Sequence, residues 1–261
     1  MFSAYEFSYA GESSLIYGLM LYDIDGRGQS DVPFGNVAEI VETRTNTRIQ
    51  PIHFGVNYKK PLEFKLVFGS DKPLDRYTLE NIGLWLTGYQ NYQWLTIDQP
   101  DLDHVQFRCI VTQLTPISVG WLPVAFEATI RCDCPYAYGY PFSREYTIGQ
   151  SRKILFRNDG SVRERLKPEL TFVPSPGVRS LSIVNHSDGD REFAIDRIPA
   201  DGVQVYVDNK NGIILDKGMR VNLYPGFNGN FFRLVRGDND LEVTGSGKLT
   251  ISGRFLYNVG G

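Results

Sequence analysis

A surplus of positive charge is missing from this chain of 261 residues: Lys and Arg number 27 against 30 Asp and Glu, for a formal net charge of −3. With no basic excess there is no bulk electrostatic grip on nucleic acid or on an anionic membrane surface. Long hydrophobic runs are missing too, and no stretch approaches the roughly 18 apolar residues needed to cross a bilayer. Residues 1–21 have no basic leader and carry Glu6 and Glu12, so no signal peptide is expected and the chain reads as made and kept in a cytoplasm-like compartment. Cysteine is scarce: Cys109, Cys132 and Cys134 are too few for a disulfide scaffold and are expected to stay reduced. Neither a low-complexity tract nor a repeat of solenoid or propeller period occurs.

What is abundant points to β structure. Hydrophobic residues make up 42% of the chain and charged ones 22%, enough apolar surface for real cores. The 15 Tyr and 16 Phe favour strands, and the 26 Gly and 14 Pro favour tight turns between them. Leu62, Phe64, Leu66 and Phe68 alternate with Glu63, Lys65 and Val67, which predicts a half-buried strand. Similar short runs are expected over residues 15–24, 36–41, 92–97, 105–114 and 124–132. One segment carries a helical period instead. Over residues 75–87, Leu79, Ile82 and Leu86 share a stripe widened by Trp85, with Asp75 placed to cap the start and Gly88 to close the end.

The run Cys134, Pro135, Tyr136, Ala137, Tyr138, Gly139, Tyr140, Pro141 breaks the strand pattern and leads into a polar stretch. A domain boundary is therefore expected near residue 146, giving domains 1–146 and 147–261, the first with an acidic excess and the second mildly basic. The second half reads as all-β. Val203, Val205 and Val207 share a face, as do Met219, Val221 and Leu223, and Leu249 with Ile251, while residues 208–212, 237–239 and 245–247 supply turns.

Catalytic and ligand chemistry finds little support. Asp23, Asp25 and Gly28 resemble the opening of a calcium loop, but Arg27 and Phe34 occupy the fifth and twelfth positions, so the segment reads as a polar turn. Cys132 and Cys134 have the spacing C-x-C rather than a zinc knuckle, and with Cys109 and His104 upstream they read as core packing groups. Asp98, Asp101, Asp103 and His104 form the densest titratable cluster, interrupted by Pro100 in the manner of an exposed turn. His53 and His186 have no nucleophile elbow, and no phosphate-binding glycine motif occurs. Arg236, Gly237 and Asp238 spell an adhesion tripeptide that reads as turn chemistry. No catalytic, metal or cofactor site is expected. Aromatic residues in the second half, Tyr206, Tyr224 and Phe227 among them, are candidates for stacking on a sugar ring or packing on a partner.

Several ordered segments nevertheless resemble a known family. IGLWL at 82–86, YQWLTIDQPDL at 92–102 and FEATIRCDCPYAYG at 126–139 resemble the N-terminal domain of distal tail proteins, called Dit, of long-tailed phages of Gram-positive bacteria. FRNDGSVRERLKPELTF at 156–172, VYVDNKNGIIL at 205–215 and FFRLVRGDNDLEVTGSGKLTISGRF at 231–255 look like their galectin-like C-terminal domain. The resemblance implies a mainly β fold with one short helix: a sandwich-like ring-forming domain followed by a galectin-like sandwich. It implies a non-enzymatic subunit of a homo-hexameric ring, single or stacked in pairs, at the tip of a virion tail assembled in the bacterial cytoplasm. Implied partners are the tail tube protein, a tail-associated hub or fibre protein and receptor-binding or baseplate proteins, with DNA only as passing cargo. A closed ring needs heterologous contacts, and the hairpin-like segment 43–55, with its polar tip Thr43, Arg44, Thr45, Asn46, Thr47 and Arg48, is the candidate inter-subunit belt. The alternative is a carbohydrate-binding module for attachment to the host wall. Against it, Trp85, Trp94 and Trp121 all lie in the first half, away from any lectin site.

Overall fold

The computed structural model describes residues 6–21, 39–57, 60–218 and 221–259. Contacts divide the chain into two units, Met1–Tyr138 with Tyr257–Gly261, and Gly139–Leu256. The expected boundary near residue 146 falls instead inside a continuous strand, Ala137–Ile148. Tyr138, Tyr140 and Phe142 alternate there with Gly139, Pro141 and Ser143, a period of two concealed by residues that usually punctuate chains.

The first unit contains β1 (Phe7–Tyr9), β2 (Glu12–Ser13), β3 (Met20–Leu21), β4 (Glu39–Thr43), β5 (Ile52–Asn57), β6 (Glu63–Gly69), β7 (Gln93–Ile97), β8 (Val105–Val119) and β9 (Leu122–Cys132), with one helix, α1 (Arg76–Thr87). Seven strands pair antiparallel in the order β3-β6-β9-β8-β7-β1-β2. Phe64, Leu66 and Phe68 of β6 are buried as their alternation predicts, beside Phe107, Ile130 and Phe126. The Asp75 carboxylate accepts the Thr78 amide at 2.7 Å and caps α1, and this bond to the charged form holds its carboxyl below the usual range. Gly88 closes the helix, its amide donating to the Leu84 carbonyl at 2.9 Å. The buried face of α1 is Ile82, Trp85 and Leu86. Trp85 donates its indole N–H to the Tyr9 carbonyl at 3.0 Å and lies against Tyr17 with ring centroids 4.8 Å apart. The strand expected over residues 15–24 is absent at its start: Ser14–Tyr17 forms a 3-10 turn before β3, because the Ser13 hydroxyl caps the Leu15 amide. Residues 22–24 and 36–38 lie outside the described residues.

The second unit contains β10 (Ala137–Ile148), β11 (Ser151–Asn158), β12 (Glu169–Pro174), β13 (Leu181–Asn185), β14 (Arg191–Ile195), β15 (Val205–Asp208), β16 (Ile213–Asp216), β17 (Gly237–Thr244) and β18 (Gly247–Tyr257). One sheet runs β11-β17-β13-β14, and the other runs β16-β15-β12-β18-β10. Phe156, Ile183, Phe193 and Val243 of the first sheet and Phe172, Val205, Leu249 and Ile251 of the second are buried. The β17–β18 turn is glycine-specific: Gly247 has φ 153°, and a Cβ there would collide with the Val173 carbonyl. Two expectations fail here. Residues 221–223 form no strand, and Met219 lies outside the described residues. Residues 237–239 open β17 rather than form a turn, with Gly237 and Asp238 paired to Asn158 and Arg157, so the adhesion-like tripeptide enters a sheet.

Polar groups organise this unit's interior. Asn239 is fully buried; its carboxamide accepts the Val235 amide at 2.8 Å and donates to the Val235 and Gly237 carbonyls, both at 3.0 Å. Asn185 donates to Asn239 Oδ1 at 3.0 Å and to the Arg233 carbonyl at 3.1 Å. Asn158 donates to the Val235 carbonyl at 3.1 Å and accepts the Gly160 amide at 3.1 Å. Three side chains thus satisfy backbone groups of Arg233, Val235 and Gly237 at and just before the start of β17.

Nearby, the Asp188 carboxylate takes Arg165 at 2.9 Å and also Arg233. Burial alone would raise its pKa, but the two guanidiniums outweigh it and hold the carboxyl below the usual range. His186 sits between Asp190 at 2.6 Å and Glu242 at 3.4 Å, and chiefly its hydrogen bond to Asp190 raises its pKa.

Asn239→Ala leaves several buried backbone groups unpaired and is expected to cost the fold about 2–4 kcal/mol, read from denaturant midpoints. Because His186 is raised in the folded state, its contribution is complete below the ordinary histidine pKa of about 6.5 and is lost as pH climbs through the folded value. The stability gap between wild type and His186→Gln should therefore shrink as pH rises above the ordinary histidine value of about 6.5. A gap that widens would contradict the assignment.

Candidate functional site

The titratable clusters do not converge. Residues 98–104 form a turn in which Gln99 Nε2 donates to Asp101 at 2.6 Å and His104 lies 3.4 Å from Asp103, its ring edge-on to Tyr257 at 5.1 Å. Among the described residues, no group of three or more His, Cys, Asp or Glu could hold a metal ion. The calcium-like segment with Asp23, Asp25 and Gly28 lies outside the described residues. Cys109 and Cys132 face each other across β8 and β9 inside the core. Burial pushes the Cys109 thiol up to about 12 and the Cys132 and Cys134 thiols up as well, which leaves none as a thiolate near neutral pH. His53 occupies β5 opposite Glu42. His186 belongs to the ionic cluster described above.

Segment 43–55 does form a hairpin. β4 and β5 pair from Glu39↔Asn57 to Thr43↔Ile52 with an irregularity between Val41 and Glu42. The connecting turn carries the polar tip: Arg44 lies 3.4 Å from Glu42, the Arg48 amide donates to the Thr45 carbonyl at 3.3 Å, and the Thr45 and Thr47 hydroxyls are 3.4 Å apart. Asn46 lies between them, exposed. The sequence places this polar tip between strand-like runs, and the structure adds that the apolar residues of those runs are exposed. Ile40, Val41, Ile49, Ile52 and Phe54 are all exposed, and no third strand among the described residues joins the ribbon. An isolated ribbon of two strands is marginal in water, and exposed apolar side chains lower its stability further unless something covers them.

The three aromatics do not make one open platform. Tyr206 sits on the outward side of β15, opposite Thr171 and Leu215. Chiefly its burial, with Glu169 beside it, pushes its hydroxyl up to about 12. Tyr224 is tied to the β15–β16 turn, its hydroxyl donating to the Gly212 carbonyl at 2.9 Å and accepting the Ile214 amide at 3.2 Å. Phe227 packs against Phe231 at 4.7 Å and Phe193 at 5.7 Å, so its ring closes the edge of the sandwich instead of standing free.

The exposed apolar side chains of the ribbon are the surface most suited to packing. The fold matches the crystal structure of SPP1 Dit, a protein described as a paradigm of the hub adsorption apparatus in phages that infect Gram-positive bacteria. The match has a TM-score of 0.67 at 13% identity and covers 96% of this chain and 99% of that one. The resemblance to distal tail proteins and the mainly β fold read from the sequence therefore hold. No curated protein sequence matches the chain. Family models for a phage tail protein N-terminal domain and a phage tail C-terminal domain match residues 2–134 and 136–253. The chain belongs to this family of phage tail proteins.

Proposed function

We propose that the chain is a structural hub at the distal end of a phage tail, in which six copies close into a ring around a channel for DNA. The first unit forms the ring. One face of the ring meets the tail tube protein, and the other meets a tail-associated hub or fibre protein. Receptor-binding or baseplate proteins attach at the side. The subunits assemble in the bacterial cytoplasm and carry no enzymatic activity of their own.

The observation that carries this reading is the β4–β5 ribbon, whose exposed apolar residues and open strand edges have no partner among the described residues. The ribbon with its tip, Thr43 to Arg48, serves as an inter-subunit belt. A neighbouring subunit supplies what it lacks, and a ring is the closed form of such a heterologous contact. The Dit-like fold and the tail-protein family support the same assignment. Buried thiols and solvated, scattered carboxylates fit a part whose work is mechanical.

Light scattering with negative-stain imaging of the purified chain tests this. A mass of six or twelve subunits and a six-fold ring with a central hole are expected. Ile40→Asp and Phe54→Asp should leave the unfolding free energy within about 0.5 kcal/mol of wild type and shift the protein to monomer. Variants that form rings as readily as wild type would remove the ribbon from the interface. A monomeric wild type that binds glycans through Tyr206 or Tyr224 would favour the wall-attachment alternative.

A further inference from the structure

The hairpin of β8 and β9 ends in an unusual turn. Cross-strand pairing continues out to Val119↔Leu122, which leaves only Gly120 and Trp121 as the connection. Their φ angles are 57° and 69°, the paired left-handed conformation of a type I′ turn. Glycine and asparagine adopt that conformation readily. In tryptophan it sets Cβ against the following carbonyl. Despite this strain the indole is 99% exposed, and Val119 and Leu122 beside it are exposed too.

The stem under this turn is firm. The Leu74 amide donates to the Pro123 carbonyl and the Ser70 amide to the Val124 carbonyl, both at 2.9 Å. No charged residue occurs between Arg108 and Glu127, so the end of the hairpin offers apolar contact and backbone hydrogen bonds and nothing ionic. A surface facing only water has no use for a strained, uncovered indole on a rigid, charge-free stem, whereas tryptophan is among the commonest interface anchors.

We propose that Trp121 is an anchor that seats in an apolar surface of a neighbouring copy of this chain. The second copy is favoured because the same unit exposes apolar side chains on other elements. Tyr77 and Leu84 lie on the solvent side of α1, and Leu15 and Ile16 lie on the 3-10 turn whose Tyr17 stacks on Trp85. Tip and receiver on different elements of one unit give the two unlike patches that a heterologous contact requires. A tryptophan buries on the order of 150–250 Å², against the roughly 800 Å² per partner of a stable interface. The anchor therefore works as one part of a larger contact that includes the β4–β5 ribbon. The inference rests on the ring reading and adds to it a second point of attachment.

Trp121→Gly and Trp121→Asn test it, since both relieve the strained φ and should leave the unfolding midpoint unchanged or higher. Each is expected to raise the protein concentration for half-assembly at least about tenfold, while Trp121→Phe, which keeps an apolar ring, should have a smaller effect. Fluorescence gives an independent readout. In wild type, emission should shift to the blue and acrylamide quenching should fall on assembly, and both changes should vanish in Trp121→Phe. Rings that form at unchanged concentration in Trp121→Gly, with the wild-type indole still quenchable, would overturn the anchor and leave the ring standing. A wild type that stays monomeric at every concentration would overturn both. If a variant unfolds more easily, the wild-type quenching result decides.

Discussion

A β-ribbon of two strands satisfies only one edge of each strand, and the remaining amides and carbonyls must be met by water or by another chain. Among the described residues β4 and β5 are in that position, with Ile40, Val41 and Phe54 exposed on their flanks. Little inside the ribbon offsets the cost of ordering it. The functional reading depends on this imbalance, because each of the two units has a well-packed interior of its own. The first unit closes its sheet around Phe7, Phe68 and Trp85. The second packs two sheets face to face and meets the backbone of Arg233 and Val235 with Asn158, Asn185 and Asn239. The open edges of the ribbon are what assembly can use.

The chemistry of the interior agrees with a mechanical role. Thiols buried between β8 and β9 are held protonated, and the Asp101 and Asp103 carboxylates meet Gln99 and His104 of their own turn. The ionic cluster around Asp188 fixes the short helical turn after β13 to segment 233–237. Buried amide and ionic networks of this kind give a rigid, uniquely packed sandwich, which suits a domain that must hold its shape in a particle.

Much of this was legible in the sequence where local chemistry and burial agree. Asp75, the stripe from Leu79 to Leu86 and Gly88 define α1 because cap, period and stop coincide. The alternation of β6 is equally plain, since one of its faces is core. Legibility fails where a residue serves a tertiary partner. Gly139 and Pro141 look like a break yet lie within β10, and Asn239 looks like a turn residue yet is the polar centre of a core. Val221 and Leu223 alternate like a strand, but Tyr224 is drawn to the Gly212 carbonyl and the segment turns into a short helical coil. The hairpin tip at 43–48 could be found from its polar composition. The exposure of Ile40, Val41 and Phe54 on its strands, and that of Trp121, appear only when the strands are placed.

Hydrogen exchange over residues 39–57, compared between assembled protein and a dilute monomeric fraction, tests the central claim most directly. The account predicts that the outward amides of β4 or β5 exchange quickly in the monomer and become strongly protected on assembly, as strands recruited to a neighbour would. Ribbon amides that exchange equally fast in both states would contradict it, since the ribbon would then be a free surface element and the ring, if present, would be held by something else.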